Sequence, residues 1–434
     1  MRTTAWLRLG LLAAGAALAT GACSSGSSAR SSSGVRPPAA DTTITTRAVT
    51  SAATAPISAT PIKVGFINQE SSPLGSFTET TQEAEGAVRY INSELGGVRG
   101  HPIALDTCIV AGNPGSSASC GTQMVRDKVV AVAAAYDFFN AASLPIIKRA
   151  GLPYLGYVPL TASDLTRAAV PPSGFMYPFL PGSAGEFPGQ AAFIAHSLKA
   201  KKVTILTSNN GPGRQAAQQL LQAPLRAYGL TNVTVVTEDA SAADFKSSVT
   251  VAERGNPDVI DVLFVQPGCS RIMRAIKSLG VTAKVIYPAP CADKAVLDAG
   301  GGGADGAYFS LETLPPVASE ADSDVKAYLG AQPKYVPQVS DPQIGMNGFT
   351  EMMNVYEVLT KVGPDATPAS INTFMSSASN EPNFMAHPYT CDGKQIPGLD
   401  VICDPWIRMV QANGDTLTDL GSWVNAGTGR SEPS

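Results

Sequence analysis

The stretch at residues 203–237, VTILTSNNGPGRQAAQQLLQAPLRAYGLTNVTVVT, decides the fold class. Residues 203–207 and 233–237 are short runs rich in Val, Ile and Thr, which are typical of buried β-strands. Residues 215–228 between them have the apolar spacing of a helix. A strand, a helix and a second strand in this order predict one βαβ unit with parallel strands.

The same alternation extends in both directions from this unit. We predict further strands at 62–67, 103–105, 129–133, 154–156, 259–265, 284–287 and 308–310, and further helices at 84–95, 144–149, 243–254, 270–279 and 293–298. Continuous apolar strands separated by helices indicate parallel sheets that are covered on both faces. The chain is therefore predicted to be an α/β protein with two doubly wound, Rossmann-like lobes.

Length and composition agree with a protein of this class. The chain has 434 residues, of which 44% are hydrophobic and only 15% are charged, with a net charge of −4. A prior of roughly 150 residues per domain suggests two or three globular units. The 31 Lys and Arg residues form no positive stripe that could neutralise phosphates, so nucleic acid is not an expected partner.

The amino-terminal segment is typical of export. Arg2 and Arg8 flank an apolar stretch at 9–19, and small residues at 20–22 precede Cys23, so 1–22 is predicted to be a signal peptide. This pattern resembles a bacterial lipoprotein signal in which Cys23 carries the lipid, although Thr20 stands where Leu is usual and secretion without lipid is the alternative. Residues 23–60, rich in Ser, Thr, Ala and Pro, are predicted to form a disordered linker to the lipid anchor.

Six further cysteines form three local groups along the chain. An even number in an exported protein indicates disulfides, and local closure predicts the pairs Cys108–Cys120, Cys269–Cys291 and Cys391–Cys403. Zinc is the competing interpretation. None of the spacings matches a zinc motif, and His101, His196 and His387 lie near no second ligand pair, so no metal is expected.

Several segments resemble a known family in their order and spacing. IKVGFINQESSPLG at 62–75, the run VRDKVVAVAAAYDFFNAASLPIIKRAGLPYLGYVPLTASDLT at 125–166 and YTCDGKQIPGLDVIC at 389–403 look like periplasmic solute-binding proteins of the branched-chain amino acid and amide transport type. The resemblance implies two α/β lobes joined by three hinge crossings, near Pro181, near Pro315 and between His387 and Cys403. Lobe 1 would consist of 61–180 and 316–388, and lobe 2 of 181–315 and 389–434.

In open α/β sheets a ligand lies beyond the carboxyl ends of the strands, which directs attention to the loops that follow them. In the first lobe, the resemblance implies that Phe77 is a ligand-facing aromatic, that Thr161 helps to hold a ligand carboxylate and that Pro159 contributes its carbonyl. The other carboxylate loop departs from the family, because Asp137, Phe138, Phe139 and Asn140 replace a Ser-rich turn. An acid and two aromatics favour a cationic or ring-bearing solute.

The second lobe departs from the family as well. Pro212 replaces a Tyr, and Ala289 falls where the family has the Glu that pairs with an ammonium group. Asp293 is close enough in sequence to substitute for it, Gln266 aligns with a ligand-facing side chain, and Asn210 or its neighbour Asn209 could donate amide hydrogen bonds.

Each of these residues also has a purely structural interpretation. Phe138 and Phe139 could be core residues, Asp137 and Asp293 could cap helices, and the Thr161 hydroxyl could satisfy a turn. A disulfide between Cys269 and Cys291 would stiffen the wall of the cleft and is interpreted as structural.

A nucleotide-dependent secreted enzyme is the remote alternative. Residues 211–216, GPGRQA, match G-x-G-x-x-A between a strand and a helix, and Glu238 ends the next strand. However, Ser208, Asn209 and Asn210 separate the strand from the first Gly, and Pro212 removes an N–H from the phosphate cradle. No hydrolase or P-loop motif occurs in the sequence.

The sequence therefore favours a non-enzymatic, monomeric solute-binding lipoprotein without a cofactor on the outer face of the cell membrane. It would capture an amino acid, amide, amine or aromatic compound in the interlobe cleft and deliver it to an ABC permease. A sensor of the same fold that acts on a receptor or surface partner is the alternative.

Overall fold

A computed structural model of the protein describes residues 59–72, 75–156, 175–316, 319–339, 346–414 and 416–433. These residues form two β-sheets with helices packed around them. Among their helices, none has the length and apolar character needed to span a lipid bilayer.

The first sheet contains three parallel strands in the order β2-β1-β3. They are β1 (Ile62–Gln69), β2 (Ile103–Val110) and β3 (Val132–Ala134), and the helices α1 (Thr78–Glu94), α2 (Pro114–Arg126) and α3 (Leu144–Arg149) alternate with them or follow them. Seven of the eight β1 residues are buried, as expected for a central parallel strand. In place of the strand predicted at 154–156, Tyr154 forms two isolated bridges, one with Val132 and one with Met176.

The second sheet contains eight strands in the order β11-β10-β9-β8-β7-β6-β4-β5. Its parallel part consists of β4 (Val203–Ser208), β5 (Val233–Glu238), β6 (Val259–Leu263), β7 (Lys284–Tyr287) and β8 (Tyr308–Leu311). The helices between these strands are α5 (Gly211–Gln215), α6 (Ala223–Ala227), α7 (Lys246–Glu253), α8 (Gly268–Leu279) and α9 (Lys294–Gly300), and a π-helical segment, Ala216–Gln222, joins α5 to α6. The strand and helix predictions in this region are therefore confirmed to within a few residues.

The second sheet also has an antiparallel part, which was not predicted. Strands β9 (Trp406–Asn413), β10 (Thr416–Asn425) and β11 (Ser431–Pro433) pair antiparallel with one another, and β9 pairs antiparallel with β8. The β9–β10 turn includes Gly414 at a φ of +60°, a backbone conformation that favours glycine. Antiparallel strands can expose one face to water, and most of β10 is correspondingly exposed or half-buried.

Besides α2, four helices were not predicted. They are α4 (Gly182–Ala192), which continues into a π-helical turn at Phe193–Ser197, together with α10 (Ser323–Tyr335), α11 (Met346–Val362) and α12 (Pro368–Ser376). The chain returns to the first sheet through α11, which packs closely against α1. A Cβ on Gly348 of α11 would lie only 2.0 Å from the Thr80 carbonyl oxygen of α1. Glycine at this position lets the two helices cross closely.

The three predicted disulfides are present. Cys108–Cys120 links β2 to α2, Cys269–Cys291 links the start of α8 to the segment after β7, and Cys391–Cys403 closes a loop before β9. Each pair is separated by 12 or 22 residues, so every bond closes a local loop.

Candidate functional site

A cavity of about 400 Å³ lies between loops that follow strands of both sheets. The first-sheet side is formed by residues directly after β3, and the second-sheet side by α4 and by the segments after β4, β5, β6 and β7. Its described lining residues are Tyr136, Phe138, Phe139, Ser183, Glu186, Phe187, Ser208, Asn210, Gly211, Pro212, Gly213, Gln215, Ala216, Ala240, Leu263, Phe264, Val265, Gln266, Pro267, Gly268, Pro288 and Pro290. The size suits a small molecule, and the walls are mainly apolar.

The first-sheet side presents an aromatic surface. Phe138 and Phe139 are half-buried and line the cavity together with Tyr136. Phe77 does not line it, since this side chain is only 1% exposed and stacks on the Tyr136 ring with 4.1 Å between the ring centroids. The structure therefore places Phe77 as the support behind the aromatic wall.

Asp137 is directed into the protein rather than into the cavity. Its Oδ2 accepts a hydrogen bond of 2.7 Å from the Ser117 hydroxyl and one of 3.5 Å from the Ser143 hydroxyl, while Oδ1 accepts from the Phe139 N–H at 2.9 Å. Burial raises the pKa of Asp137, and these three hydrogen bonds oppose that shift. The carboxylate thus fixes the turn that carries the aromatics.

Asn140 belongs to the same turn and is buried. Its carbonyl oxygen accepts hydrogen bonds from the N–H groups of Ser143 and Leu144 at the start of α3, and the residue is not part of the cavity lining.

On the second-sheet side, Asn210 and Gln266 both line the cavity. The Asn210 Oδ1 already accepts a hydrogen bond of 2.8 Å from the Gly213 N–H, because Asn210 is the N-cap of α5. Gln266 follows β6 and precedes Pro267, at the point where the chain turns into α8.

Asp293 is outside the described cavity lining. Its Oδ1 accepts from the Ala295 N–H at 2.8 Å and caps α9, which is the structural interpretation given above. Pro159, Thr161 and Cys23 lie outside the described residues.

Glu186 is the cavity residue that sequence reasoning missed. It lies on α4, is 1% exposed and lines the cavity. Its Oε1 accepts hydrogen bonds from the Ala289 N–H at 2.7 Å and from the Ser310 hydroxyl at 2.6 Å. A carboxylate therefore lies against the backbone of residue 289, where the resemblance places the family's ammonium-pairing Glu. The available signal was a single acidic residue in the otherwise uncharged stretch GSAGEFPGQAA.

The electrostatics of the cavity depend on Glu186. Burial raises its pKa from 4.5 to about 7, and hydrogen bonds from Ser310 and Ala289 oppose the shift. No Lys or Arg occurs among the described lining residues, so no side-chain cation there would pair with an anionic ligand group.

The glycine-rich segment at 211–216 gives little support to the nucleotide hypothesis. The Gly213 N–H, which a phosphate cradle would need, is held by Asn210, and Pro212 has no N–H to offer. Within the described ranges, no cluster of three or more His, Cys, Asp or Glu side chains could hold a metal ion.

Comparisons with known proteins agree with this architecture. A profile of the family described as periplasmic binding protein matches residues 61–396. No curated protein matches the sequence significantly.

Solved structures are similar over most of the chain. A leucine-binding protein from Thermotoga maritima has 17% identity and a TM-score of 0.66, with 84% of this chain and 99% of the other covered. A solute-binding protein of an ABC transporter from R. palustris, in complex with benzoate, has 14% identity and a TM-score of 0.67, with 86% and 98% covered. A fatty acid ABC transporter substrate-binding protein from Thermomonospora curvata has 15% identity and a TM-score of 0.67, with 85% and 93% covered.

The structural similarity and the family profile establish a shared fold, the type I periplasmic binding fold with two α/β lobes. Membership of the matched family implies a location outside the cytoplasm. Because the family profile covers most of the sequence, the chain belongs to the periplasmic binding protein family.

Proposed function

We propose that the protein is a solute-binding component that captures a small molecule in the cavity and delivers it to an ABC importer. The observation that carries this proposal is the cavity itself, because post-strand loops of both sheets line it. A ligand that contacts both sides would hold them together, which is the basis of closure around a bound solute.

The similar structures support a small solute but differ in its chemistry. One is a leucine-binding protein, one is in complex with benzoate and one is the substrate-binding protein of a fatty acid ABC transporter. For this chain we propose an amino acid, an amide or a related amine or aromatic compound. Phe138, Phe139, Asn210 and Gln266 are proposed to contact it, since all four line the cavity. Pro159 and Thr161 stay predictions from the resemblance.

The lobes are proposed to follow the boundaries predicted from the sequence, with 61–180 and 316–388 in one and 181–315 and 389–434 in the other. A contact that supports this division is made by Asn383. Its Nδ2 donates to the Phe179 carbonyl at 2.7 Å and lies 2.9 Å from the His387 carbonyl and 3.2 Å from the Asp404 carboxylate. One side chain thus ties together chain segments next to two of the predicted crossings.

Export and anchoring through Cys23 remain part of the proposal, as do the permease partner and the monomeric state. Metabolic labelling with a fatty acid tests the anchor. The wild-type chain should become labelled and partition with membranes, whereas Cys23→Ser should not incorporate label.

Thermal unfolding of the chain from residue 59 onward tests solute binding. The panel contains amino acids, amides, polyamines, aromatic acids, aromatic amines, purines and NAD. At 100 times its Kd, a ligand specific for the folded state adds about 2.7 kcal/mol and should raise the midpoint by several degrees. A panel without any hit, together with no solute co-purifying with the protein, would contradict the proposal. Binding of NAD alone would favour the nucleotide hypothesis.

A further inference from the structure

Glu186 has hydrogen-bonding capacity that the fold does not use. Both of its hydrogen bonds, from the Ala289 N–H and the Ser310 hydroxyl, reach the same oxygen, Oε1. Among the described residues no donor reaches Oε2, although the side chain is 99% buried and lines the cavity. Because Glu186 lines the cavity, an occupant that donates to Oε2 would gain a charge-assisted hydrogen bond.

Glu186 is held firmly in this position. The Gln190 amide, one turn further along α4, donates to the Ser310 hydroxyl at 2.7 Å, and that hydroxyl donates to Glu186 Oε1 at 2.6 Å. Ser310 lies on β8 and Ala289 follows β7, so α4 and two strands fix the carboxylate at the cavity wall. A group positioned in this way does not have to be ordered when a ligand arrives.

The titratable groups on which the Glu186 charge acts are Tyr136 and Asp261. Burial raises the pKa of both well above the ordinary value, and the Glu186 charge adds to each shift. Among the described lining residues, Glu186 is the only acid, and no basic side chain neutralises it.

The remainder of the cavity is suited to an apolar body. Phe138 and Phe139 lie on one side, Phe187 and Phe264 on the other, with Pro212, Pro267, Pro288 and Pro290 among the other lining residues. Aromatic faces attract rings and also cations.

We propose that Glu186 is the specificity-determining residue of the cavity and that it binds the protonated nitrogen of an amine whose remaining part is an aromatic or aliphatic group. This inference rests on the proposed solute-binding function and names the class of solute. The amine donates to Oε2, and its ring or chain lies between the phenylalanines. A free carboxylate on the solute has no cationic partner among the described lining residues, so an α-amino acid binds less well than the amine that lacks the carboxylate.

Calorimetric titration with matched ligands tests the inference. The benzyl, phenethyl and hexyl skeletons are each tested as the amine, the alcohol and the carboxylate, against the wild type, Glu186→Gln and Asp298→Asn. In Glu186→Gln the amide oxygen can still accept from Ala289 and Ser310, while an NH₂ group replaces Oε2. Asp298→Asn removes the same charge from an exposed position on α9.

We expect the amine to bind best within at least one skeleton. Its affinity should fall by about tenfold or more in Glu186→Gln and stay unchanged in Asp298→Asn. With a Glu186 pKa of about 7, amine binding to the wild type should tighten by about tenfold from pH 6 to pH 8, because only the ionised carboxylate attracts the cation. This pH series uses the wild type alone and does not depend on the folding of Glu186→Gln.

Several outcomes would overturn the inference. The first is tighter binding of the alcohol or carboxylate than of the amine in every skeleton. The second is amine binding that is insensitive to both pH and Glu186→Gln, and the third is a solute without a basic nitrogen as the best hit of the wider panel. Each of these leaves the solute-binding function intact, whereas an absence of any binding in both panels removes that function and the inference together.

Discussion

The two sides of the cavity each contain a buried carboxylate, and the two carboxylates do different things. On the first-sheet side, Asp137 accepts three hydrogen bonds from its own turn and from α2, and it does not line the cavity. On the second-sheet side, Glu186 accepts two hydrogen bonds on one oxygen and lines the cavity. Residue type alone therefore does not identify a binding carboxylate. We propose that contact with the cavity distinguishes Glu186, because other buried carboxylates such as Glu83 and Asp261 also have oxygens without a donor and do not line it.

The aromatic residues show the same contrast. Phe77 is buried behind the wall, whereas Phe138 and Phe139 form its surface. Residues behind the wall should affect stability, and residues on its surface should affect binding. Three of the four experiments below examine this division, and the Glu83 experiment tests a buried carboxylate that does not line the cavity; they follow in order of decreasing expected effect.

Phe77→Ala should give the largest loss of stability. The ring is 1% exposed and stacked on Tyr136, so truncation leaves a cavity and should lower the free energy of unfolding by about 3–5 kcal/mol. Urea denaturation measures the change, and Phe77→Leu, which retains more apolar volume, should lose clearly less. Unchanged stability combined with lost solute binding would place Phe77 on the binding surface instead.

Glu83→Gln should change how stability depends on pH. Burial raises the pKa of Glu83 on α1 from 4.5 to about 8, so the folded state keeps a proton that the unfolded state releases above pH 4.5. The free energy of unfolding of the wild type should therefore fall as the pH rises from about 5 to 8. In Glu83→Gln this decrease should be smaller by an amount on the order of 3 kcal/mol.

Glu85→Gln is the matched control for this experiment. Glu85 is on the same helix, with a side chain that is 47% exposed. In denaturant titrations at pH 5, 7 and 9, the free energy of unfolding of the Glu85 variant should fall with pH as steeply as that of the wild type. Equal slopes for the two variants would contradict the assignment of the proton to Glu83.

Asp137→Ala should lower the free energy of unfolding by about 2 kcal/mol, because it leaves the hydroxyls of Ser117 and Ser143 without their buried acceptor. Ser117→Ala, which removes one donor, should lose less. Chemical denaturation measures both effects. A stable Asp137→Ala protein that fails to bind an amine would mean that Asp137, rather than Glu186, is the carboxylate that binds the solute.

Phe139→Ala should have the smallest effect on stability, about 1 kcal/mol or less, since the ring is already half-exposed to the cavity. It should weaken the binding of aromatic solutes more than that of small polar ones, as measured by titration calorimetry. A large loss of stability would move Phe139 to the group of residues that support the wall.

The sequence predicted the central strands well because their signal is local. Residues 203–207 and 284–287 are continuous runs of strand-forming residues, and β4 and β7 contain them in full. The disulfides were also predictable, since each pair is local.

Helix α4 was not predictable from propensity. It contains Gly182, Gly185, Pro188 and Gly189, all of which are poor helix formers in isolation. Tertiary packing explains the glycine at 189, because a Cβ there would lie 2.6 Å from the Ile407 Cδ1 atom of β9. Because α4 was not predicted, Glu186 was not recognised as a candidate site residue either. Its significance depends on donors at residues 289 and 310, more than 100 positions away in sequence.

The order of the cysteines has a consequence for biogenesis. Each disulfide joins one cysteine to the next along the chain, and no closed loop encloses or interlocks with another. If the polypeptide crosses a membrane from its amino end and Cys23 is lipidated as proposed, an oxidant that simply pairs the remaining consecutive thiols as they emerge would produce the native set among the 15 possible pairings of six cysteines. Such a chain would need little help from disulfide isomerases, and secretion hosts without strong isomerase activity should still yield correctly bonded protein.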